Sequence, residues 1–370
     1  MVIYLIIFLF SILFINLGYY SNGNKKNIIG KFFIILGLLI PCLLASLRAP
    51  TVGSDTSGYI TGLYKLVSKS NSFFDYCSLG YAWYGLKDYA YLFITYISAK
   101  VFSSFKVLLF LIELLIIVPI YKSLDISKTN KNDVLIGMSV FYLFMYNVTY
   151  NMARQSIAIA FSILGLTYVI KNKKISSLIC LIFACLFHET AIMTVFVYFA
   201  YYFINSKIKK TTKQVFLLLI YIVSLVLVFG YKYIIYFLYS SGIYKHGILY
   251  IYIFSKLDFS FMDTFLYIFM LVIIVLNKKV LIQKGINYNF YIFLAIESLI
   301  ILQLGAFIQY MERVSFYLFY PLLIGGISKI NSLDDKISKN TFILLIFLLI
   351  YWFFIFSFLK IHNTIPYVLS

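Results

Sequence analysis

Carboxylates are scarce in this sequence. Thirteen Asp and Glu face 31 Lys and Arg across 370 residues, for a formal net charge of +18, and charged residues of all kinds make up 12% of the chain. An ordinary soluble domain carries about 25%, so a water-facing surface of normal size is excluded. Cysteine is also sparse: Cys42, Cys77, Cys180 and Cys185 form no C-x-x-C pair, and three of them lie in apolar runs. They read as small buried hydrophobes rather than a redox or zinc framework. His188, His246 and His362 are far apart and lack metal-ligand spacing, so neither a metal site nor a cofactor is indicated. The alternating ten-residue pattern of a membrane β-barrel is missing too.

What is present is apolar length. Hydrophobic residues make up 63% of the chain and mean hydropathy is +0.95. Repeated apolar runs of about 15 to 20 residues predict an all-α, polytopic transmembrane bundle. The first run, Val2 to Tyr20, has no preceding basic residue and no A-x-A-like cleavage site, and reads as a retained span. The positive charge is mostly lysine in short loops, where it sets topology, so nucleic acid is not an expected partner.

Placing the lysine clusters at Lys25–Lys26, 122–131, 171–174, 207–213, 278–284 and 329–339 on the cytoplasmic side predicts spans near 2–20, 28–47, 105–121, 134–150, 155–170, 214–231, 264–277, 289–305, 315–328 and 342–359. Both termini then lie outside. The result is one integral membrane domain over residues 1–370, without internal repeat, with long external segments at 48–104 and 232–263. Two further stretches resist simple assignment and bring the expected membrane segments to about 10–12. Residues 89–103 are apolar but short, and suit an amphipathic or re-entrant piece. Residues 175–206 would run about 48 Å as one helix, and have lysines at both ends. They suit a re-entrant hairpin turning at "FHET", Phe187 to Thr190.

This topology, drawn from lysines alone, gathers Arg48, Asp55, Arg154, His188, Glu189, Glu312 and Arg313 at the external face. Of the 31 basic residues only those three are arginine, and all sit at predicted outer helix ends, where the positive-inside rule disfavours them. A guanidinium fork grips phosphate in a bidentate way and stays charged when partly desolvated. Snorkelling to lipid headgroups is the plainer alternative, but lysine serves that equally well.

Each candidate has two readings. Arg154, beside Asn151 and Gln155, heads a span, and a helix N-terminus with an arginine makes an anion site. Asp55, in "LRAPTVGSDTSGY" with Arg48 and Tyr59, could orient an acceptor or take its proton, or could simply form an Asx-turn. His188 could serve as a base near neutral pH, with Glu189 beside it, or pack as a hydrogen-bonded core residue. Glu312 could belong to a site or pair with Arg313. Glu297 and Glu113 are intramembrane carboxylates, costly enough to suggest function by default. The aromatic segment 231–254 could stack sugars, although an interfacial belt explains most of it.

Four stretches carry a family resemblance. "R48-APTVGSD55-TSGY59" resembles the R-x(3–4)-G-[ST]-D-x(2–3)-Y element of the EpsG family of Wzy-like oligosaccharide repeat-unit polymerases. "N151-MARQSIA158", "ACLFH188-ETA191" and "YMER313-VSFY317" are similar to that family's mid-chain arginine, F-H-x-[ST]-A and late arginine elements. Where the family often has a glutamate before a small–aromatic pair, "LKD88-YAYLF" offers Asp88. The resemblance implies a metal-independent glycosyltransferase-type polymerase of capsule, exopolysaccharide or O-antigen type in the bacterial cytoplasmic (inner) membrane. Its substrates would be undecaprenyl-diphosphate-linked oligosaccharides, among membrane lipid, with a chain-length regulator and a flippase as pathway partners. Arg48, Arg154 and Arg313 would bind diphosphate, and His188 and Asp55 would act in catalysis. Tyr59, Asp88, Gln155, Glu189, Glu297 and Glu312 are further candidates. A lipid-linked oligosaccharide flippase or transporter, or another polyprenyl-dependent glycosyltransferase, remains open; a flippase should have midplane charges and repeated halves.

Overall fold

A computed structural model of the chain describes residues 1–21, 28–241, 261–306, 311–331 and 337–369. Lys25–Lys26, residues 242–254 of the aromatic segment and residues 332–336 of the last lysine cluster lie outside the described residues. Those described are helical, joined by turns, with one isolated bridge between Arg48 and Leu369. Among the described residues, seven helices are long and apolar enough to cross a membrane: 2–21, 28–46, 105–127, 153–170, 210–234, 288–306 and 339–358.

The other three expected spans are shorter or broken. Residues 131–149 contain a π-turn at Phe141–Met145, and residues 316–329 pass from α through π to 3-10 geometry, while the helix Phe261–Leu276 has 16 residues. Hydropathy registers the apolar run but not the change in turn type. The chain packs as two compact units, Met1–Ile192 with Ser328–Ser370, and Met193–Ile327. No linker marks the division in sequence, because uniformly apolar composition hides boundaries that a polar loop would reveal.

The first unit opens with α1 (Val2–Ser21) and α2 (Ile28–Ser46), which pack extensively on each other. A Cβ at Gly37 would lie 2.8 Å from the Ser11 carbonyl oxygen, so only glycine permits this approach. Ser11 Oγ fills the gap by donating to the Gly37 carbonyl at 2.6 Å, the small-residue contact that membrane helices favour. After the loop 47–55, a π-turn at Thr56–Ile60 leads into α3 (Thr61–Leu66). Next come α4 (Phe73–Tyr84), capped by Ser72, and α5 (Tyr89–Lys100). At 12 residues, or about 18 Å, α5 cannot cross a core of about 30 Å. It packs on α4 and on α6 (Phe105–Ser127) as a short helix.

Further along are α7 (Lys131–Val140), α8 (Tyr146–Thr149), α9 (Ala153–Ile170) and α10 (Lys174–Phe187). α9 is the most enclosed of the seven spans, packing between α6 and α10. The segment 175–206 breaks where expected. α10 ends at Phe187, His188 turns extended, a 3-10 turn covers Glu189–Ile192, and a separate helix runs Met193–Asn205. The 14-residue and 13-residue helices are each about 20 Å long. The C-terminal stretch returns to this unit: Ala49 N–H donates to the Val368 carbonyl at 2.7 Å, and Tyr367 Oη to that of Leu44 at 2.6 Å.

In the second unit the long helices Lys210–Ser240 and Tyr288–Leu302 pack together, and Phe261–Leu276 packs on the latter. The Tyr267 and Phe319 rings stack at 3.6 Å, and Tyr267 Oη bonds Ser315 Oγ at 2.7 Å.

Candidate functional site

The loop 48–55 is braced against the turn before α9. Gly53 sits at φ +89°, and a Cβ there would lie 2.7 Å from the Tyr150 carbonyl oxygen, so glycine serves both the backbone angle and the close approach. Ser54 donates from its N–H and, at 2.8 Å, from its hydroxyl to Asn151 Oδ1. This docking brings Asp55 to the head of α9, where its Oδ2 accepts from Ala153 N–H at 3.1 Å and from Tyr59 Oη at 2.8 Å.

Two expectations change here. The bond Asp55 makes is long-range capping rather than a local Asx-turn. The N-terminus of α9, expected to receive an anion, already holds Asp55, whose charge answers the helix dipole from within the chain.

Arg48 is also placed differently. It is 1% exposed and lies in the core. Nη1 donates to the Ala45 carbonyl at 2.9 Å, Nε to Thr56 Oγ1 at 3.3 Å, and the guanidinium sits 3.9 Å from the Tyr150 ring centroid. Glu113, also buried, accepts from Thr149 Oγ1 at 3.1 Å through its Oε2. An arginine so enclosed offers no free edge to a diphosphate. Its fork serves to keep a desolvated cation hydrogen-bonded. Gln155, one residue past Arg154, is buried as well.

Arg154 faces open space. A cavity of about 770 Å³ is lined by Tyr81, Lys87, Asp88, Arg154, His188 and Glu189, among others. Arg154 Nη1 pairs with Asp88 Oδ2, its guanidinium lies 4.8 Å from the Tyr59 ring centroid, and its buried Nε has no hydrogen-bond partner. Asp88 precedes α5 in a short loop and is 8% exposed. Burial pushes its carboxyl above the ordinary carboxylate range; Arg154 pulls it back without offsetting the burial, and Glu189 pushes the same way as burial.

His188 has a defined tautomer. The Thr190 backbone N–H donates to its Nδ1 at 3.3 Å, with Thr190 Oγ1 also 2.7 Å away. A backbone N–H can only donate, so Nδ1 of the neutral ring is an acceptor and Nε2 carries the proton. In that form Nε2 is a hydrogen-bond donor.

The remaining candidates lie in the second unit. Arg313 Nε is 3.9 Å from Glu312 Oε1, both half-buried in the 3-10 turn Met311–Ser315. Glu312 lines a cavity of about 200 Å³ with Asp263, Thr264 and Gln303. Glu297 is buried, accepting from Ser224 Oγ beside an apolar cavity of about 560 Å³. Among the described residues no three His, Cys, Asp or Glu converge on one point.

Sequence reasoning missed Lys87 and Thr190. Lys87 had a weak signal, a lysine in an external segment, shared with Lys65, Lys69 and Lys100. Thr190 had none, because its part depends on the backbone turn after α10.

No curated protein and no solved structure matches this chain significantly. One family model does match, and it spans both compact units, covering residues 30–369. The chain therefore belongs to the EpsG family, Wzy-like membrane polymerases of polysaccharide biosynthesis.

Proposed function

We propose that this polymerase moves a growing glycan from undecaprenyl diphosphate onto the non-reducing end of a lipid-linked repeat unit at the external face of the bacterial cytoplasmic membrane. The observation that carries the reading is the cavity whose wall brings Arg154, Lys87 and His188 together with two carboxylates, Asp88 and Glu189. When the glycosidic bond breaks, negative charge builds on the leaving diphosphate. Fixed cations and donors aimed there lower the barrier. The attacking sugar hydroxyl needs a proton acceptor within hydrogen-bond reach, and the carboxylates supply candidates. Arg154 and Lys87 then grip the diphosphate of the donor, His188 donates to its oxygens, and Asp55 holds the head of α9 so that Arg154 is pre-placed. No step calls on a metal. Arg313 is assigned a second anion contact on its own unit.

Arg154→Lys tests the reading, since it keeps charge while removing the fork. A charge-assisted hydrogen bond is worth about 1.5–3 kcal/mol, and about 1.4 kcal/mol is tenfold in rate. Polymerisation should fall roughly tenfold to a hundredfold, seen as shortened ladders at matched membrane levels. A wild-type ladder would sink the assignment. Gene deletion should leave single lipid-linked repeat units on the outer leaflet; their confinement to the cytoplasmic leaflet would favour a flippase.

A further inference from the structure

Asp88 and a diphosphate would compete for the same cation. Arg154 Nη1 is paired with Asp88 Oδ2 on the wall of the cavity, and the guanidinium has one further orphan, its buried Nε. A lipid-linked diphosphate carries more negative charge than a single carboxylate and matches the fork in bidentate geometry. Arg154 sits at the head of α9, fixed by Asp55 and the Tyr59 ring, so it cannot follow both anions.

Resting on the donor-site reading above, we infer that Asp88 is a substrate-released base: it holds Arg154 while the cavity is empty and, displaced by the donor's diphosphate, takes the proton of the acceptor hydroxyl.

Displacement changes what Asp88 can do. Paired with Arg154, its carboxylate is a weaker base than burial alone would make it. Once the guanidinium turns to phosphate, the carboxylate stays desolvated but loses its counter-charge, and the incoming phosphates add like charge. Both changes raise its affinity for a proton. The other titratable groups facing it are Lys87 on its own loop, Tyr81 on α4, and Cys185, His188 and Glu189 at the end of α10. Of these, Glu189 adds further negative charge, and neutral His188 presents a donor rather than a competing base.

The step balances. The acceptor O–H bond breaks and its proton goes to Asp88. The hydroxyl oxygen forms the new bond to the anomeric carbon. The bond from that carbon to the diphosphate oxygen breaks, with its electron pair leaving on the diphosphate held by Arg154. Asp88 then returns its proton to water and pairs with Arg154 again. The base is thereby active only when a donor is loaded, which guards the cavity between turnovers.

The experiment uses the full-length protein in nanodiscs, with farnesyl diphosphate as the binding probe and polymer formation as the activity readout. Asp88→Asn should bind the probe about tenfold more tightly, because a competitor for Arg154 is gone, while turnover falls at least a hundredfold. Asp88→Glu should restore part of the turnover. In the wild type, the acid limb of kcat should lie at higher pH than that of kcat/KM, since the loaded enzyme holds the more basic carboxylate. Weaker probe binding by Asp88→Asn, near-normal turnover, or limbs in the reverse order would each overturn the proposal. Arg154→Ala separates the two readings: wild-type probe binding by that variant would mean the cavity is not the donor site, whatever Asp88 does. Matched monodispersity on size exclusion shows that the variants fold.

Discussion

Arg48 and Arg154 carry the same side chain at opposite sides of one docked loop, and the structure uses them differently. Arg48 is enclosed by Tyr150, Thr56 and the Ala45 carbonyl. Arg154 lines a cavity and is held by one exchangeable carboxylate. Removing a buried cation leaves the acceptors it holds in the core unpaired. Removing a cation from a cavity wall leaves the fold but empties the site. Scarce arginine therefore marks places where a desolvated charge is needed, and only the surroundings tell whether the fold or the substrate needs it.

The contrast breaks most sharply at alanine. Arg48→Ala should destabilise the protein by about 1–3 kcal/mol, as for buried acceptors left unsatisfied. It should be seen as loss of folded protein from the membrane and a lowered melting temperature in detergent. Arg154→Ala should instead keep wild-type membrane levels and abolish polymer. If both variants lost only activity, Arg48 would belong to the site and its burial would open in the working enzyme.

Gly53→Ala probes the shared loop. With φ at +89° and a carbonyl oxygen 2.7 Å from the new Cβ, strain of about 1–3 kcal/mol is expected. Melting temperature and activity should fall together, because the same loop positions Arg48 and Asp55. A variant melting like wild type would show that the loop does not dock this way.

Asp55 offers a gentler cut. Asp55→Asn can still accept from Ala153 N–H and Tyr59 Oη, so activity should stay within a few-fold of wild type, while Asp55→Ala should lose about 0.5–2 kcal/mol of stability, as for a lost cap. Differential scanning fluorimetry beside polymer gels reads both. Inactivity of a stable Asp55→Asn would return this residue to the chemistry.

The smallest effect is expected at Thr190. Thr190→Val keeps the backbone N–H on Nδ1, and with it the tautomer, but removes the hydroxyl, so a few-fold loss in turnover with unchanged KM is anticipated. A hundredfold loss would mean that the hydroxyl, rather than the backbone, governs the imidazole.

The sequence by itself determined the class of protein and the address of its chemistry. Apolar length cannot be buried in water, so the runs at 2–21, 28–46, 105–127 and 339–358 had to be membrane helices. A 12-residue helix at 89–100 and a break at His188 followed from lengths too short or too long for the bilayer. Arg154, Asp88, His188 and Glu189 were nameable from residue type, position and motif. Tertiary packing decided the rest: that Asp55 caps α9 from 98 positions away, and that Arg48 turns inward. It also decided where the two compact units divide, between residues 192 and 193 and again between 327 and 328. One-dimensional patterns record how much a segment prefers lipid to water. They do not record which carboxylate reaches which guanidinium, because that depends on loops docking over long sequence separations through a few polar contacts and one glycine.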